Sequence, residues 1–109
     1  MAGANVAFAG TVTSAGVIIA GGQISAIDGT ACAPSISNTG DLNTGLLFSA
    51  ADTMAFSAGG TSQFTMADGG IIPVTTNDVD LGTASLQFKN VYVDGTTFTD
   101  ALGFGTVVM

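Results

Sequence analysis

Residues 34–66 read PSISNTGDLNTGLLFSAADTMAFSAGGTSQFTM. Within this stretch Phe48, Phe56 and Phe64 recur at intervals of eight residues, and each is followed by Ser or Thr. Small residues typical of turns lie near the middle of each octad. An octad has room for a strand of about five or six residues and a tight turn of about two or three. The repeat therefore predicts short, Gly-punctuated strands in a β-meander or in stacked β-rungs, and it is too short for a helical repeat.

The phenylalanines of the octads are candidates for one structural core. A strand returns to the same face at every second residue, so Phe48, Phe56 and Phe64 share a face if the intervening turns preserve parity. Because the chain has no Trp and a single Tyr, core packing is a better interpretation than an aromatic ligand cage. Apolar residues further along the chain extend this predicted assembly core. Its members are Phe48, Phe56, Phe64, Leu81, Phe88, Val91 and Val93.

Strand signals continue on the C-terminal side of the octads. Residues 71–74 predict a new strand, and Pro73 favours an edge position for it. After a polar connection, Asn90–Val93 reads as a strand and Asp94–Gly95 as a hairpin turn. Residues 96–99 alternate well enough to form the return strand.

The first 31 residues are the most apolar part of the chain. Val6–Ala20 superficially resembles a signal or membrane segment, but no basic region precedes it, and Gly, Thr and Ser interrupt it. We therefore expect β-structure here, including a strand at Gln23–Ile27 between the turns Gly21–Gly22 and Asp28–Gly29. This part is expected to anchor the subunit, and a membrane helix is the alternative.

The length of 109 residues limits the chain to one domain at most. Within it the patterns define three segments. Residues 1–33 are a β-rich anchoring segment, residues 34–74 are the octad β-repeat, and residues 75–109 are a C-terminal β-hairpin segment. We expect the three to form one structural unit.

The composition favours an all-β protein that assembles. Only 8% of residues are charged, 47% are hydrophobic and the mean hydropathy is +0.58, whereas globular domains carry about 25% charged residues. All eight acidic residues are Asp, a turn former, and Gly occurs 16 times. A soluble monomer needs more charge to cover its surface. We therefore expect burial against copies of the chain or other proteins, with lipid contact as the alternative.

The charge balance limits the partners. The net charge is −7 and Lys89 is the only basic residue, so phosphate backbones are repelled and nucleic-acid binding is not expected. Cys32 is the only cysteine and cannot form an intrachain disulfide. An idle or buried thiol is its simplest interpretation, and a bridge between subunits is the alternative.

The sequence lacks the residues that most catalytic and metal-binding sites require. Without His, Glu or Arg, the chain cannot build a Ser-His-Asp or Cys-His arrangement or a zinc site. Residues 41–45 and 77–80 bring Asp and Asn oxygens close together in sequence, but an EF-hand loop ends on a Glu. Turns at Asn38–Asp41 and at 43–45 are the better interpretation. We expect no enzymatic activity, no cofactor and no bound metal.

Two segments of the chain contain recognisable motifs. The first consists of PSIS at 34–37, GDLNTG at 40–45, ADTMAFS at 51–57 and GGT at 59–61. The second consists of DLGT at 80–83, Leu86, FKNVYV at 88–93 and Gly95. Together the two segments cover roughly half of the chain, and they resemble segments of bacteriophage tail-fibre and virion-surface proteins. In that family a Gly-Asp-x-Asn-Thr-Gly turn leads into an Ala-Asp-Thr-x-x-Phe-Ser strand and a Gly-Gly-Thr turn.

The resemblance implies architecture and location, because its motifs consist mostly of turn and core residues. It marks no active site. Members of the family usually have Arg where this chain has Gln87, so any ion pair made by that Arg is missing. Many members also continue into a large C-terminal region, whereas this sequence stops at Met109. We therefore expect a short decoration or adaptor subunit more than a receptor-binding fibre.

The sequence and the resemblance thus predict a virion structural protein that works as a homo-oligomer. An intertwined homotrimer is the oligomeric state that we expect. Its partners are copies of itself and other capsid or tail proteins. A tail-fibre or tail adaptor segment involved in host attachment is the first alternative. A small apolar membrane-associated coat protein built around Val6–Ala20 is the second. Residue patterns alone leave these open.

Overall fold

The structure, a computed structural model, describes residues 5–103 and is all-β, as the composition predicts. That range contains no helix, and its strands form two antiparallel sheets, one of two strands and one of five. The strands are β1 (Gly29–Thr30), β2 (Ala33–Pro34), β3 (Ile36–Asn38), β4 (Asp41–Ala50), β5 (Thr53–Ala58), β6 (Thr61–Ala67) and β7 (Gly70–Pro73).

The five-stranded sheet is a simple meander in the order β3-β4-β5-β6-β7. The octad pattern is confirmed as a meander and not as stacked rungs. Its turns lie at Ala51–Asp52, Gly59–Gly60 and Asp68–Gly69, between the last and first paired residues of successive strands. Gly59 and Gly60 have φ of 59° and 82°, which matches the type I′ hairpin turn and its preference for glycine.

The turn between β3 and β4 is also where the sequence predicts it. Asn38 pairs with Asp41, and the backbone N–H of Gly40 donates to the Asn38 side-chain carbonyl over 2.7 Å. The second predicted turn, at residues 43–45, is wrong, because β4 continues through it. Gly45 pairs with β3 on one side and β5 on the other. Because glycine has no side chain, the neighbouring strand can approach closely at this position. A Cβ there would overlap the carbonyl oxygen of Ile36.

The small β1–β2 hairpin is tied to the meander by hydrogen bonds. The backbone N–H of Phe48 donates to the Asp28 carbonyl over 2.8 Å, just before the hairpin. Within the hairpin, the carbonyl of Ala31 accepts a 2.6 Å bond from the Ser57 hydroxyl. Both β1 and β2 contact β4. The hairpin therefore covers one side of the sheet.

The core of the single chain is very small. Among the described residues, Leu47 and Ala55 are the buried hydrophobic side chains, with exposures of 4% and 0%, and Ser57 is the buried polar one at 5%. Leu47 and Ala55 are register partners on β4 and β5, so they point to the same side of the sheet. This is the side on which Ser57 bonds the hairpin, and Pro34 in the hairpin is also buried.

The flanking segments differ from the sequence-based expectation. The strand predicted near residues 71–74 is present as the edge strand β7. The strands predicted at Gln23–Ile27, at Asn90–Val93 and at 96–99 are wrong for the single chain, since residues 5–28 and 74–103 contain no strand. These stretches have no neighbouring strand to pair with, and an isolated strand or hairpin is marginal in water.

The two flanking segments therefore contain less β-structure than expected. The described part of the N-terminal segment 1–33 contains only β1 and the first residue of β2, so it is not β-rich. The C-terminal segment 75–109 forms no hairpin within its described residues, although a bend remains at Asp94–Gly95. Residues 1–4 and 104–109 of these two segments lie outside the described range. We refer below to residues 5–28 as the arm and to residues 74–103 as the tail.

The arm and the tail make the molecule elongated. Its radius of gyration is 19.8 Å and its principal extents are 71 × 30 × 28 Å, whereas a compact chain of this length has a radius of gyration of about 13 Å. A single copy therefore does not fold back on itself to enclose its apolar residues.

Candidate assembly surface

One row of apolar residues crosses the whole meander. Register pairs join Ile36 to Leu46, Leu46 to Phe56, Phe56 to Phe64, and Phe64 to Pro73. Residues directly opposite each other on antiparallel strands point to the same side of the sheet. The row thus contributes one apolar side chain from each of the five strands to a single face.

A second row lies beside the first on the same face. Met54 pairs with Met66, and Met66 pairs with Ile71. Each of the two methionines lies two residues from a phenylalanine of the first row, so it shares that face. Phe48 belongs here too, because it lines a shallow concavity of about 350 Å³ together with Met54 and Met66.

We call this surface the apolar face. It is the side of the meander opposite Leu47 and Ala55, because its residues alternate with theirs along β4 and β5. Its members are Ile36, Leu46, Phe48, Phe56, Phe64, Met54, Met66, Ile71 and Pro73.

The centre of the apolar face is an aromatic pair. The rings of Phe56 and Phe64 are stacked, with centroids 4.6 Å apart and an angle of 18° between their planes. Both side chains are only half-buried in the single chain. Such pairs contribute about 0.5–1.5 kcal/mol beyond the burial of their area. The pair is therefore well placed to become the centre of a larger interface.

Among residues 5–103, no element covers the apolar face as the β1–β2 hairpin covers the other side. Ile71 is 72% exposed, Ile36 56% and Met66 44%. At one border, Val79 and Leu81 of the tail line a concavity of about 390 Å³ with Phe64, Ile71 and Pro73. A contiguous exposed apolar surface on a sheet is typical of an interaction site.

The predicted assembly core is divided between two places. Phe48, Phe56 and Phe64 all lie on the apolar face, with Phe56 and Phe64 in contact and Phe48 in the neighbouring row. Leu81 borders this face and remains 76% exposed. The structure does not bring the other three members to the sheet, and all are exposed on the tail. They are Phe88, Val91 and Val93.

Sequence reasoning missed several members of the apolar face. Leu46, Met54 and Met66 each lie two residues from an octad phenylalanine, so strand parity alone points to them. Ile36 and Ile71 are different, because they join the face through pairing with Leu46 and Met66. The register of these two pairs depends on the exact positions of the turns, which the octad spacing predicts only approximately.

Charged side chains surround the apolar face without entering it. Asp52 and Asp68 lie in the turns of the meander, and Asp41 is the first residue of β4. An apolar centre within a polar rim is the usual composition of protein–protein contact surfaces. All three of these rim charges are negative.

The described residues contain no other site with evident chemistry. No group of three or more His, Cys, Asp or Glu side chains among residues 5–103 is arranged to hold a metal ion. The same range includes no helix with the length and hydropathy of a membrane span. Cys32 is a free, exposed thiol whose sulfur lies 3.5 Å from the Gly60 carbonyl oxygen.

Comparisons with known proteins found no matching family model, curated protein or solved structure. Function is therefore inferred from the chain's own surface and from the resemblance of its two segments.

Proposed function

We propose that this chain is a structural protein of a bacteriophage virion that acts by assembling with copies of itself, as a homotrimeric capsid decoration or fibre subunit. The apolar face is the shared surface. Phe48, Phe56 and Phe64 pack there against the neighbouring copies, and the exposed apolar residues of the tail extend the same core. The protein has no catalytic role in this proposal.

The observation that carries the proposal is the accessible surface of the single chain. It amounts to 9781 Å² for a chain of 10.7 kDa, whereas a compact monomer of that mass exposes about 5,500 Å². The difference is several times the roughly 800 Å² that each partner buries in an interface of standard size. Much of the excess is apolar, since 23 large hydrophobic side chains of the described residues are exposed.

Assembly through a sheet face suits a closed ring of copies. The meander is open, with β3 and β7 as its two edges, so each copy presents two different edges to its neighbours. Contacts between the β3 edge of one copy and the β7 edge of the next close into a ring when the rotation between copies allows it. A trimer surrounds one axis with three apolar faces and leaves the acidic turns in solvent.

The location on a virion is supported by the resemblance of residues 34–61 and 80–95 to phage fibre and virion-surface proteins. The second of these segments resembles fibres in particular, which favours a tail-fibre or tail adaptor as the alternative to a capsid decoration. Membrane association through Val6–Ala20 is a weaker alternative, because Gly, Thr and Ser interrupt that stretch.

Two measurements test the proposal. Sedimentation velocity of the purified chain at micromolar concentration should give a trimer without detergent. Particles purified on a density gradient, from a phage whose genome encodes this chain, should contain the protein at a fixed copy number by quantitative mass spectrometry. A detergent-dependent protein would favour the membrane alternative, and purified particles that lack the protein would contradict a virion role.

A further inference from the structure

Two strand-forming segments have no strand partner within the described part of their own chain. They are residues 23–27 of the arm, QISAI, and residues 90–93 of the tail, NVYV. No backbone hydrogen bond joins either of them to another described residue. Their side chains are also uncovered, with Ile24 76%, Ile27 79% and Tyr92 90% exposed.

The two segments belong to opposite edges of the meander. The arm joins the sheet where the Asp28 carbonyl accepts the N–H of Phe48, on the side of β4 that also pairs with β3. The tail leaves from β7, the other edge. Four strand spacings separate these edges, about 19 Å in total. When copies stand side by side in a ring, the arm edge of one faces the tail edge of the next.

From this placement we propose that residues 23–27 of one copy pair as a β-strand with residues 90–93 of the neighbouring copy. We call the two segments the arm strand and the tail strand. The occupant of each segment is thus a second copy of this chain. The inference rests on the proposed function, because it requires that copies assemble, but it adds a specific contact that assembly through the apolar face alone does not require.

Sequence pattern and surface area both support this pairing. In the arm strand Ile24 and Ala26 share one face, and in the tail strand Val91 and Val93 do. Pairing them buries apolar side chains on one side and satisfies backbone groups that otherwise bond only to water. It also accounts for part of the surface that a compact chain of 10.7 kDa would not expose. The excess is too large for one standard interface.

Single-cysteine variants test the pairing directly. In a Cys32→Ser background, one set of chains carries Ile24→Cys, and other sets carry Val91→Cys, Tyr92→Cys or Val93→Cys. Each arm variant is unfolded, mixed with a tail variant, refolded and oxidised. Because each chain has one thiol, any covalent dimer joins two copies. Opposed strand residues are about 4.5–5.5 Å apart at Cα, within the range of about 4.4–6.8 Å that a disulfide needs.

Val6→Cys is the matched control for Ile24→Cys. Both residues lie on the arm and are similarly exposed, at 77% and 76%, but Val6 is outside the arm strand. We expect at least one Ile24 mixture to give several times more covalent dimer on a non-reducing gel than the same tail variant mixed with Val6→Cys. Equal yields from the two mixtures, in samples that sediment as oligomers, would overturn the pairing and leave the proposed function intact.

Hydrogen exchange of the natural chain provides a second readout that needs no variant. In the oligomer, we expect amides of residues 23–27 and 90–93 to exchange at least tenfold more slowly than in the same residues of unfolded chain. Exchange at unfolded-chain rates within an assembled protein would contradict the pairing alone. A natural chain that sediments only as a monomer would contradict both the pairing and the proposed function.

A double variant that carries both Ile24→Cys and Tyr92→Cys distinguishes pairing between copies from pairing within one chain. A disulfide within a single chain of this variant, without any bridge between copies, would also overturn the pairing.

Discussion

Phe56 and Phe64 occupy the centre of the meander's apolar face, and their stacked rings link β5 to β6. In the single chain both are half-buried and neither is fully covered, whereas phenylalanine is among the residues most often found fully buried in a core. If copies pack on this face, the pair becomes fully buried and its contribution to stability grows with assembly. A side chain that served a ligand instead would leave stability nearly unchanged on removal.

Phe56→Ala should lower the free energy of unfolding by about 3–5 kcal/mol per subunit, the range for a fully buried phenylalanine. Phe98→Ala is the matched control, because Phe98 is 92% exposed and its loss should change stability by about 0.5 kcal/mol or less. Denaturant melts of the two variants and the natural chain, at equal protein concentration, measure both values. Equal stability of the two variants would argue against a core role for the octad phenylalanines.

Gly45 is required by the close approach of β3 and β4. An added Cβ would overlap the Ile36 carbonyl oxygen, a backbone atom that cannot move aside without disturbing the strand pair. Gly45→Ala should therefore destabilise the protein by about 1–3 kcal/mol, as overpacking generally does. Gly95→Ala is the control, since a Cβ at Gly95 meets nothing within 4 Å. Similar thermal melts for the two variants would contradict the described register.

At the scale of elements, the β1–β2 hairpin distinguishes the two sides of the sheet. It lies on the side of Leu47, Ala55 and Ser57, where the Ser57 hydroxyl donates to the Ala31 carbonyl, and within residues 5–103 no equivalent element covers the apolar face. The hairpin has two short strands of two residues each, too few to be stable alone. Its position therefore depends on its hydrogen bonds to the meander, above all the short one from Ser57.

Ser57→Ala removes the donor of the 2.6 Å bond to the Ala31 carbonyl. Because Ser57 is buried, the loss leaves an acceptor without its partner, at a cost of about 1–3 kcal/mol. Ser49→Ala, at an exposed position of β4, should be nearly neutral. Hydrogen exchange should also show faster exchange in residues 29–34 of the Ser57 variant. Unchanged protection of the hairpin would show that other contacts hold it.

Much of the meander could be predicted from local chemistry. Gly59–Gly60 and Asp68–Gly69 are strong turn formers, and the octad spacing fixes strand length between them. The turn predicted at residues 43–45 is wrong because an Asn-Thr-Gly sequence is compatible with two structures. It can form a turn, or it can place a glycine where neighbouring strands approach closely. Only the pairing of Gly45 with both β3 and β5 distinguishes the two cases.

The flanking strands could not be placed for a different reason. Residues 23–27 and 90–93 have strand-forming sequences, but a strand needs a partner, and none lies within the described part of the same chain. The candidate surface was predicted in part. Phe48, Phe56 and Phe64 were recognised from their spacing, whereas Ile36 and Ile71 join the face only through register with strands distant in sequence.

For the whole molecule, burial of apolar surface between copies would favour assembly, and electrostatic repulsion between the acidic copies would oppose it. A trimer carries three times −7 charges, about −21 in total. Exposed Asp side chains repel by about 1 kcal/mol or less per pair, and salt screens this. Each 100 Å² of apolar surface removed from water contributes about 2.5 kcal/mol in the opposite direction. In the proposed trimer, we therefore expect burial of the apolar face to exceed the repulsion and association to strengthen with added salt.

In the proposed assembly, folding and association are one event. Thermal unfolding across a hundredfold range of protein concentration, with sedimentation velocity on the same samples, tests this most directly. If copies complete the core as proposed, the melting temperature should rise with protein concentration, and the folded species should sediment as a trimer. A folded monomer at micromolar concentration, with a melting temperature independent of concentration, would contradict the account.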